Sequence, residues 1–334
     1  MKIIVLYNLP TERVLEGPYL ASEEDTRLSA IAVSRALKSK GAKVKLVPVQ
    51  TDNINLLKHL SADLVFNLIE WTGLELPFSL KAFRLLEQMR IPFTGAGSAN
   101  YLLTSDKLKL KSALRRAGLP TAPWQAFRTG RETIRTHLPY PLLVKLALEH
   151  CSIGLLADSV VTKPRQLQRI VQARLFQFQQ PVIAEEFLSG REFQVTVIST
   201  ASGIKALPPA EIIYREPHYR FLTYAGRWEE EHPEFQATQV KLASVSPALR
   251  HELASVSLEA FHKLNFRDYA RMDLRCRDSG EVVILEANSN PGLDDHQEYG
   301  LTISFKAAGF TFADFVWEIV QSALRRFTPG KVSW

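Results

Sequence analysis

Residues 281–292 read EVVILEANSNPG, an apolar run that ends in a carboxylate, Glu286, and an amide, Asn288. Residues two apart on a strand point to the same face, so these two side chains offer their oxygens side by side. Residues 269–276 read YARMDLRC and form a second strand candidate upstream. The short polar sequence between the candidates predicts a β-hairpin that turns at Ser279-Gly280.

The register of this hairpin brings acidic residues together. A two-residue turn predicts three facing pairs: Asp278 with Glu281, Asp273 with Glu286, and Arg271 with Asn288. Two facing carboxylates destabilise a hairpin, so the Asp273–Glu286 pair predicts a cation between them. Oxygen ligands favour a hard ion, Mg²⁺ in particular. The alternative is an exposed hairpin with scattered charges and no metal, and the hairpin alone favours neither.

Composition predicts an ordinary soluble protein of two or three domains, with 334 residues, 46% hydrophobic and 23% charged. No apolar run has the length of a membrane span, and the first residues lack a secretion signal. The two cysteines, Cys151 and Cys276, exclude a disulfide scaffold and indicate a reducing, cytoplasmic environment. The net charge of +6 favours anionic ligands such as nucleotides. We expect no nucleic-acid partner, because the chain has no arginine-rich tract or aromatic-basic stripe.

The first hundred residues alternate strand and helix patterns, which predicts a parallel sheet with right-handed crossovers. The strand candidates are KIIVLY, KVKLVPV, DLVFNL and IPFTG, and the helix candidates are SEEDTRLSAIAVSRALKSKG and LPFSLKAFRLLEQMR. TGAGSAN lacks the glycine pattern of a dinucleotide-binding turn. Ligands of such sheets bind at the carboxyl ends of the strands, where the loop IEWTGLELP follows DLVFNL.

The remainder of the chain has an α+β pattern. Residues 105–120 predict a basic helix capped by Ser105, and strand-like runs follow with a helix, KPRQLQRIVQARLFQFQ, among them. Residues 203–240 have weak periodicity and are predicted to form a long loop, a common form of lid. Helices are predicted before the hairpin, at PALRHELASVSLEAFHKLN, and at the end, at FADFVWEIVQSALRR.

Three local features indicate a phosphate site. Lys145 lies inside the apolar run LLVKLAL, where a buried lysine needs an anion, although an edge lysine that reaches water is the alternative. The turn CSIGLL could bring backbone N–H groups to a phosphate. PVIAEEFLSGREF places three carboxylates around a turn: Glu185, Glu186 and Glu192. They could accept hydrogen bonds from a base amine or a ribose hydroxyl, and the alternative is a solvated loop.

Taken in order, these segments resemble the ATP-grasp superfamily, and most closely its D-alanine–D-alanine ligase branch. The resemblance is carried by DLVFNL, IPFTGAGSANYLLTSDKLKLKSALRRAGLPTAP, PLLVK, SIG, VIAEEFLSGREFQVTV, PPAEI, YARMD, LEANSNPG and AAGFTFADFVWEIV. It implies an N-terminal parallel-sheet domain (1–100), a central domain (101–188) and a C-terminal domain (189–334), with ATP between the last two. Such enzymes activate a carboxylate as an acylphosphate, which an amine then attacks.

The resemblance also implies roles for residues. Asp273, Glu286 and Asn288 match the ligands of two Mg²⁺ ions, with Mn²⁺ as an alternative. The other matches are the phosphate-binding Lys107 and Lys145, Ser152 in the phosphate loop, Glu185 beside adenine, Phe187 and Leu188 in the hinge, and Glu192 at the ribose. Arg271 matches the arginine that stabilises the tetrahedral intermediate. Lys145 and Arg227, the latter in the lid, are also expected to be catalytic, through contacts with phosphate.

The sequence departs from the family around the amino-acid substrates. His150 and Cys151 stand where glycine and serine are usual, and Arg227-Trp228 replaces a lysine and a tyrosine. The N-terminal glutamate that contacts the first substrate's amine is not recognisable, and Glu23 or Glu24 could at most replace it. The loop IEWTGLELP lacks the usual His-Gly pattern. Past the hairpin, four residues form an acidic rim: Asp294, Asp295, His296 and Glu298. This rim could bind a cationic substrate, and the alternative is a solvated loop.

These departures predict an ATP-dependent carboxylate–amine ligase whose small-molecule substrates are not two D-alanines. A cell-wall D-alanine–D-alanine ligase with an unusual acceptor site is the first alternative. A non-catalytic ATP-binding protein is the second, and the match at Arg271 opposes it, because nucleotide binding alone does not need this residue. The resemblance also implies a homodimer, without a membrane partner.

Overall fold

Three sheets follow one another along the chain in this computed structural model, which describes residues 1–15, 19–216, 218–296 and 299–327. The predicted α/β and α+β character is confirmed. The division at residues 100 and 188 stays a prediction, although each predicted unit contains one sheet. No helix in the described ranges has both the length and the apolar character that crossing a bilayer requires.

The first sheet is parallel, as predicted. Its strands are β1 (Lys2–Asn8), β2 (Lys43–Val49) and β3 (Leu64–Asn67), in the order β2-β1-β3. The helices of this part are α1 (Glu12–Leu15), α2 (Leu20–Ser39) and α3 (Leu76–Gln88). Apolar side chains of α2, such as Val33, belong to one buried cluster with β1, and those of α3, such as Phe83, belong to another.

The second sheet is antiparallel, in the order β4-β7-β5-β6. Its elements, with the helices before and within it, are α4 (Ser98–Ser105), α5 (Lys107–Arg116), β4 (Trp124–Phe127), β5 (Leu142–Leu146), β6 (Val160–Val161), α6 (Pro164–Phe178) and β7 (Val182–Glu186). Helix α6 packs Leu167, Ile170 and Val171 into a buried cluster with β5 and β7. Because β5 is an interior strand, Lys145 is not the edge lysine of the alternative interpretation.

The third sheet contains the predicted hairpin, in the order β11-β10-β8-β12-β13, with β9 beside β8. Its elements are β8 (Glu192–Thr200), β9 (Gly203–Ala206), β10 (Ala210–Tyr214), α7 (Tyr224–Trp228), α8 (Pro233–Gln236), β11 (Thr238–Leu242), α9 (Pro247–Lys263), β12 (Tyr269–Cys276), β13 (Val282–Asn288), α10 (Gly300–Ala307) and α11 (Phe312–Arg326). Helix α9 packs against this sheet, whereas α11 packs Phe315 and Val316 into the cluster that covers β1 and α2.

The hairpin differs from the prediction at two points that cancel. The turn contains three residues and ends at Gly280, whose φ is 91°, and Arg277 rather than Asp278 is hydrogen-bonded to Glu281. A β-bulge then leaves Leu285 unpaired and shifts the register by one residue. The result is the predicted pairing of Asp273 with Glu286 and of Arg271 with Asn288.

Other local predictions were wrong in detail. The helix at residues 105–120 is capped by Asp106, whose side chain accepts from the N–H groups of Leu108 and Lys109, while Ser105 ends α4. IPFTG forms a single bridge between Val65 and Phe93 instead of a strand. Residues 203–240 are mostly structured and include three strands and two short helices, so only residues between β10 and β11 retain a lid-like form.

A buried carboxylate ties the end of the chain to the first part of the molecule. Asp268 is 2% exposed and accepts from the Gly95 N–H (2.8 Å), the Ser322 hydroxyl (2.9 Å) and the Arg326 guanidinium (2.9 Å). The Asn290 side chain, just after β13, accepts from the Ala96 N–H at 2.9 Å. These bonds fix the end of the hairpin against the loop that follows β3.

Candidate functional site

One cavity lies among the three sheets and collects most of the predicted site residues. Its lining includes Lys107, Lys145, Ser152, Glu192, Arg227, Arg271, Asp273, Glu286 and Asn288. Three predicted residues are not part of this lining: Glu185, Phe187 and Leu188. The sheets therefore bring together residues that are up to 181 positions apart, between Lys107 and Asn288.

A buried ionic cluster stands behind one wall. Glu185 on β7 is 2% exposed, and its two oxygens contact the ammonium groups of Lys145 (2.8 Å) and Lys111 (2.5 Å). Burial opposes ionisation of Glu185, but the two lysines outweigh it and lower its pKa. Burial also opposes the charged form of Lys145, and the Glu185 and Glu286 carboxylates reverse this and raise its pKa. The cluster therefore holds Lys145 charged, at the cavity wall.

Both predicted phosphate lysines point to Glu286. Its Oε1 lies 3.2 Å from Nζ of Lys107 and 3.9 Å from Nζ of Lys145. Burial alone would raise the pKa of Glu286, but Lys107 and Lys145 lower it to about 2. Lys107 begins α5 and also donates to the carbonyl oxygen of Glu149 in the turn after β5. Two cations and one carboxylate thus converge on the same point of the cavity.

Asp273 faces Glu286 across the hairpin and is held by its own neighbours. Arg271, two residues earlier on β12, donates to both Asp273 oxygens at 2.7 and 3.0 Å. The Asn288 amide donates to Asp273 Oδ2 at 3.1 Å. Burial opposes the charge of Arg271, but Asp273 raises its pKa further above the usual value. Two carboxylates and one amide thus lie at the end of the hairpin, and the described residues contain no group of three acidic, histidine or cysteine ligands.

The cavity extends from there towards Glu192 and an apolar wall. Glu192 accepts from the Tyr214 hydroxyl (2.9 Å) and lies 3.1 Å from Arg275, whose guanidinium stacks 5.1 Å from the Phe187 ring centre. Leu188 is buried against Val283. The apolar lining at this end is Leu143, Leu146, Ile212, Phe221 and Leu285, the last of which is the bulged residue. A flat, partly apolar group such as a nucleobase fits this wall.

The turn after β5 is joined to α7. Cys151 and Ser152 have φ of 55° and 62°, a left-handed conformation that costs free energy in residues other than glycine. The Ser152 hydroxyl donates to the Leu222 carbonyl at 2.8 Å, and the Trp228 indole donates to the Cys151 carbonyl at 2.9 Å. These bonds connect the predicted phosphate loop to the lid-like segment and thereby place Arg227 in the cavity lining.

His150 and Cys151 are both uncharged here. Burial lowers the pKa of His150 to about 4, and Lys107 adds to this effect. Burial raises the pKa of the Cys151 thiol to about 12. Neither side chain therefore contributes a formal charge near neutral pH.

Acidic residues of the first unit complete the cavity, and they are not the predicted ones. Asp25 on α2 lines the cavity and accepts from the Tyr299 hydroxyl at 3.0 Å, whereas its neighbour Glu24 is exposed. Glu70, in the loop after β3, is a second lining carboxylate. The side chain of Glu23 and residue Glu298 lie outside the described residues.

The predicted acidic rim is only partly described. Asp294 accepts from the His296 N–H at 2.7 Å, and Asp295 forms an ion pair with Lys306 at 2.9 Å. None of these three rim residues lines the cavity. Asp25 and Glu70 are the carboxylates that the first hundred residues add to the lining.

The family described as D-ala D-ala ligase C-terminus matches residues 113–321, more than half of the chain. The D-alanine–D-alanine ligase of Pelobacter propionicus is 30% identical over 312 residues, 93% of this chain and 94% of that protein. The chain belongs to the D-alanine–D-alanine ligase family. Another relative, the uncharacterized protein y4sG of Sinorhizobium fredii, is 31% identical over 267 residues, 80% of this chain and 76% of that protein.

Solved structures of the D-alanine–D-alanine ligase family share the fold. The D-alanine–D-alanine ligase from Bacillus anthracis complexed with ATP has a TM-score of 0.75 at 19% identity, and each chain is covered to 98%. A second structure of that enzyme has a TM-score of 0.76 at 18% identity, with the same coverage. The predicted ATP-grasp fold is confirmed, and the chain is an ATP-grasp ligase of the type that forms carbon–nitrogen bonds.

The residues at this family member's site that were not predicted include Lys111, Arg275, Asp25 and Glu70. Lys111 is a lysine on the apolar face of an amphipathic helix, and Arg275 interrupts an apolar strand, so both carried a sequence signal. Glu70 stands between the buried apolar residues Ile69 and Trp71 and carried a signal of the same kind, whereas Asp25 lies in polar sequence without one. Only the packing of the first unit against the hairpin places them in the cavity.

Proposed function

We propose that the protein is an ATP-dependent ligase that joins a small carboxylic acid to the amine of an amino-acid-like substrate. The carboxylate oxygen attacks the γ-phosphorus of ATP, which forms an acylphosphate and releases ADP. The amine nitrogen then attacks the acyl carbon, a proton is lost, and phosphate leaves. The observation that carries this proposal is the convergence of Lys107 and Lys145 on Glu286, in a cavity that also contains Arg271.

Residues along the cavity take the nucleotide. Lys107 and Lys145 bind its phosphates, the backbone around Ser152 covers them, and Glu192 accepts from ribose hydroxyls. Phe187 and Leu188 form the hinge behind the adenine. Both oxygens of Glu185 contact lysines, so this carboxylate does not contact adenine directly. It acts on the adenine side by positioning Lys145.

The donor set fits Mg²⁺. Asp273, Glu286 and Asn288 provide hard oxygen atoms on adjacent strands, and both carboxylates already contact cationic groups. A bound Mg²⁺, or two such ions, would neutralise negative charge on the phosphates. Mn²⁺ prefers the same ligands.

Arginines act on the transferring groups. Arg271, fixed by Asp273, stabilises the negative charge of the tetrahedral intermediate as the amine attacks. Arg227, on α7, stacks on Trp228 with its guanidinium 5.2 Å from the ring centre and reaches the cavity from the lid-like segment. Its planar guanidinium binds phosphate oxygens with a geometry that lysine does not offer.

A second candidate function is the ligation of two D-alanines. Its support is the Pelobacter propionicus relative, which bears that name and aligns over nearly the whole chain. The carboxylates Asp25 and Glu70 oppose it, because D-alanine carries a small apolar side chain that needs no acidic wall.

Release of phosphate from MgATP tests the proposal and separates the two candidates. Purified protein is assayed with a panel of amino acids of both configurations, singly and in pairs, and products are identified by mass spectrometry. We expect phosphate release that requires a carboxylate and an amine and yields an amide. Robust turnover with D-alanine alone would favour the second candidate, and ATP binding without any amide product from the panel would contradict both.

A further inference from the structure

Within the described residues, two carboxylates of the cavity form no ion pair with a cationic side chain. Asp25 accepts one hydrogen bond, from the Tyr299 hydroxyl, and within the part of the chain that the structure describes no side chain pairs with Glu70. Burial, then the negative charge of Asp25, raises the pKa of Glu70 to about 7. Burial also raises the pKa of Asp25, against the Tyr299 hydrogen bond. Both side chains are half-buried, and charge that is partly removed from water is costly unless a ligand neutralises it.

The nearby arginines do not neutralise this acidic pair. Arg271 and Arg227 both act on Asp25 and Glu70 through space, but neither lies within ion-pair distance of them. Arg271 donates two hydrogen bonds to Asp273 instead. Arg227 stacks on Trp228 and, in the proposed function, meets phosphate. Among the residues that the structure describes, no cationic group therefore forms an ion pair with Asp25 or Glu70.

A buried amide in the lining of the same cavity independently indicates a ligand. Gln194 lines the same cavity, is only 8% exposed, and its side chain forms no hydrogen bond within the described ranges. Its amide lies against Gly300, the residue after Tyr299, whose hydroxyl binds Asp25. A buried amide without a partner loses free energy that a polar ligand restores.

We propose that the amino-acid-like substrate carries a second positively charged group, an amine or a guanidine, and that Asp25 and Glu70 bind it. The inference rests on the proposed function and names the substrate class of that site. The single ammonium of a neutral amino acid leaves one of the two carboxylates without a counter-charge, whereas a second cationic group neutralises both. Gln194 provides a neutral hydrogen bond to the same ligand.

Equilibrium binding of matched amino-acid pairs tests this inference. The full-length protein is saturated with Mg²⁺ and a non-hydrolysable ATP analogue, then titrated calorimetrically with ornithine against norvaline and with lysine against norleucine, in both configurations. In at least one pair we expect the dicationic member to bind about tenfold or more tightly than its neutral isostere. Equal or tighter binding of the neutral members, or no binding of either, would overturn the inference.

Isosteric variants test whether Asp25 and Glu70 cause the preference for the dicationic amino acid over its neutral isostere. Asp25→Asn combined with Glu70→Gln keeps the side-chain shapes, and we expect it to reduce the preference to about twofold or less with unchanged affinity for the nucleotide analogue. Glu24→Gln, an exposed neighbour on the same helix, is the control and should retain the preference. A preference that survives in the double variant overturns the inference. Failure of the unaltered protein to bind the nucleotide would instead refute the proposed function itself.

Discussion

Arg271 is the residue whose proposed role differs most clearly from nucleotide binding. It contacts Asp273 through two hydrogen bonds and lines the cavity. We expect Arg271→Ala to lower kcat by about 10²–10³-fold, because a preorganised cation is lost from the intermediate. The Kd for MgATP should change by about twofold or less, as measured by calorimetry.

Arg277 provides the matched control for this change. It lies on the same hairpin, forms ion pairs with Glu186 and Glu281, and does not line the cavity. Arg277→Ala should leave kcat nearly unchanged. If Arg271→Ala reduced nucleotide affinity and turnover to the same extent, the catalytic role of Arg271 would be wrong.

Glu185 and Lys111 differ in what their removal leaves behind. Glu185→Gln strands two buried ammonium groups, so we expect a loss of about 3–5 kcal/mol in the free energy of unfolding. Lys111→Met leaves the Glu185–Lys145 pair intact and should cost less. Urea denaturation measures both values, and a larger loss for Lys111→Met would show that Glu185 does not organise the cluster.

Glu70 predicts a pH dependence of substrate binding. Its pKa is raised to about 7, so the side chain gains its negative charge as pH rises through that value. The charged groups that act on it are Asp25, which opposes ionisation, and Arg271 and Arg227, which favour it. We therefore expect the affinity for a dicationic amino acid to increase from pH 6 to pH 8, a dependence that Glu70→Gln should remove. Calorimetry at the two pH values measures it, and an unchanged slope in the variant would contradict the assignment.

At the scale of elements, the contact between α7 and the turn after β5 closes the cavity. Trp228→Phe keeps an aromatic side chain but removes the hydrogen bond to the Cys151 carbonyl. A neutral hydrogen bond contributes about 1 kcal/mol, so opening should become about fivefold more frequent. We expect more phosphate release without amide formation, because water then reaches the acylphosphate. The ratio of phosphate to amide product measures this effect, and an unchanged ratio would show that the contact does not exclude water.

The sequence predicted most elements because their signals are local. The strand of Lys145 and the helix that ends in Arg326 have clear periodicity, and both are found. The β-bulge at Leu285 was not predictable, because an unpaired residue is decided by the neighbouring strand and not by its own side chain. Residues 203–240 were misassigned for a similar reason: β10 and β11 are short, and the pairing of β10 with β8 and of β11 with β10 stabilises them more than their own pattern does.

At the scale of the whole molecule, the sequence predicted residues at one end of the cavity, where we place the nucleotide, but not those at the other end, where we place the amino-acid-like substrate. The proposed nucleotide end contains Lys107, Lys145 and Glu286, which lie in motifs that the sequence alone pointed to. The proposed substrate end contains Asp25 and Glu70, and only the packing of the first sheet against the hairpin places them in the cavity. That packing depends on α11 and on the buried Asp268, whose partners are far apart in sequence.

The affinity for ATP with and without Mg²⁺, in the unaltered protein and in Asp273→Asn combined with Glu286→Gln, tests the central claim most directly. A metal site and a pair of carboxylates without metal predict opposite changes in the affinity for MgATP. If these carboxylates hold the metal, the double variant binds MgATP at least about a hundredfold more weakly, yet binds metal-free ATP more tightly, because two negative charges near the phosphates are gone. Glu281→Gln, at the exposed end of the same hairpin, should change neither value. Tighter binding of ATP by the double variant under both conditions would contradict a metal site at Asp273 and Glu286.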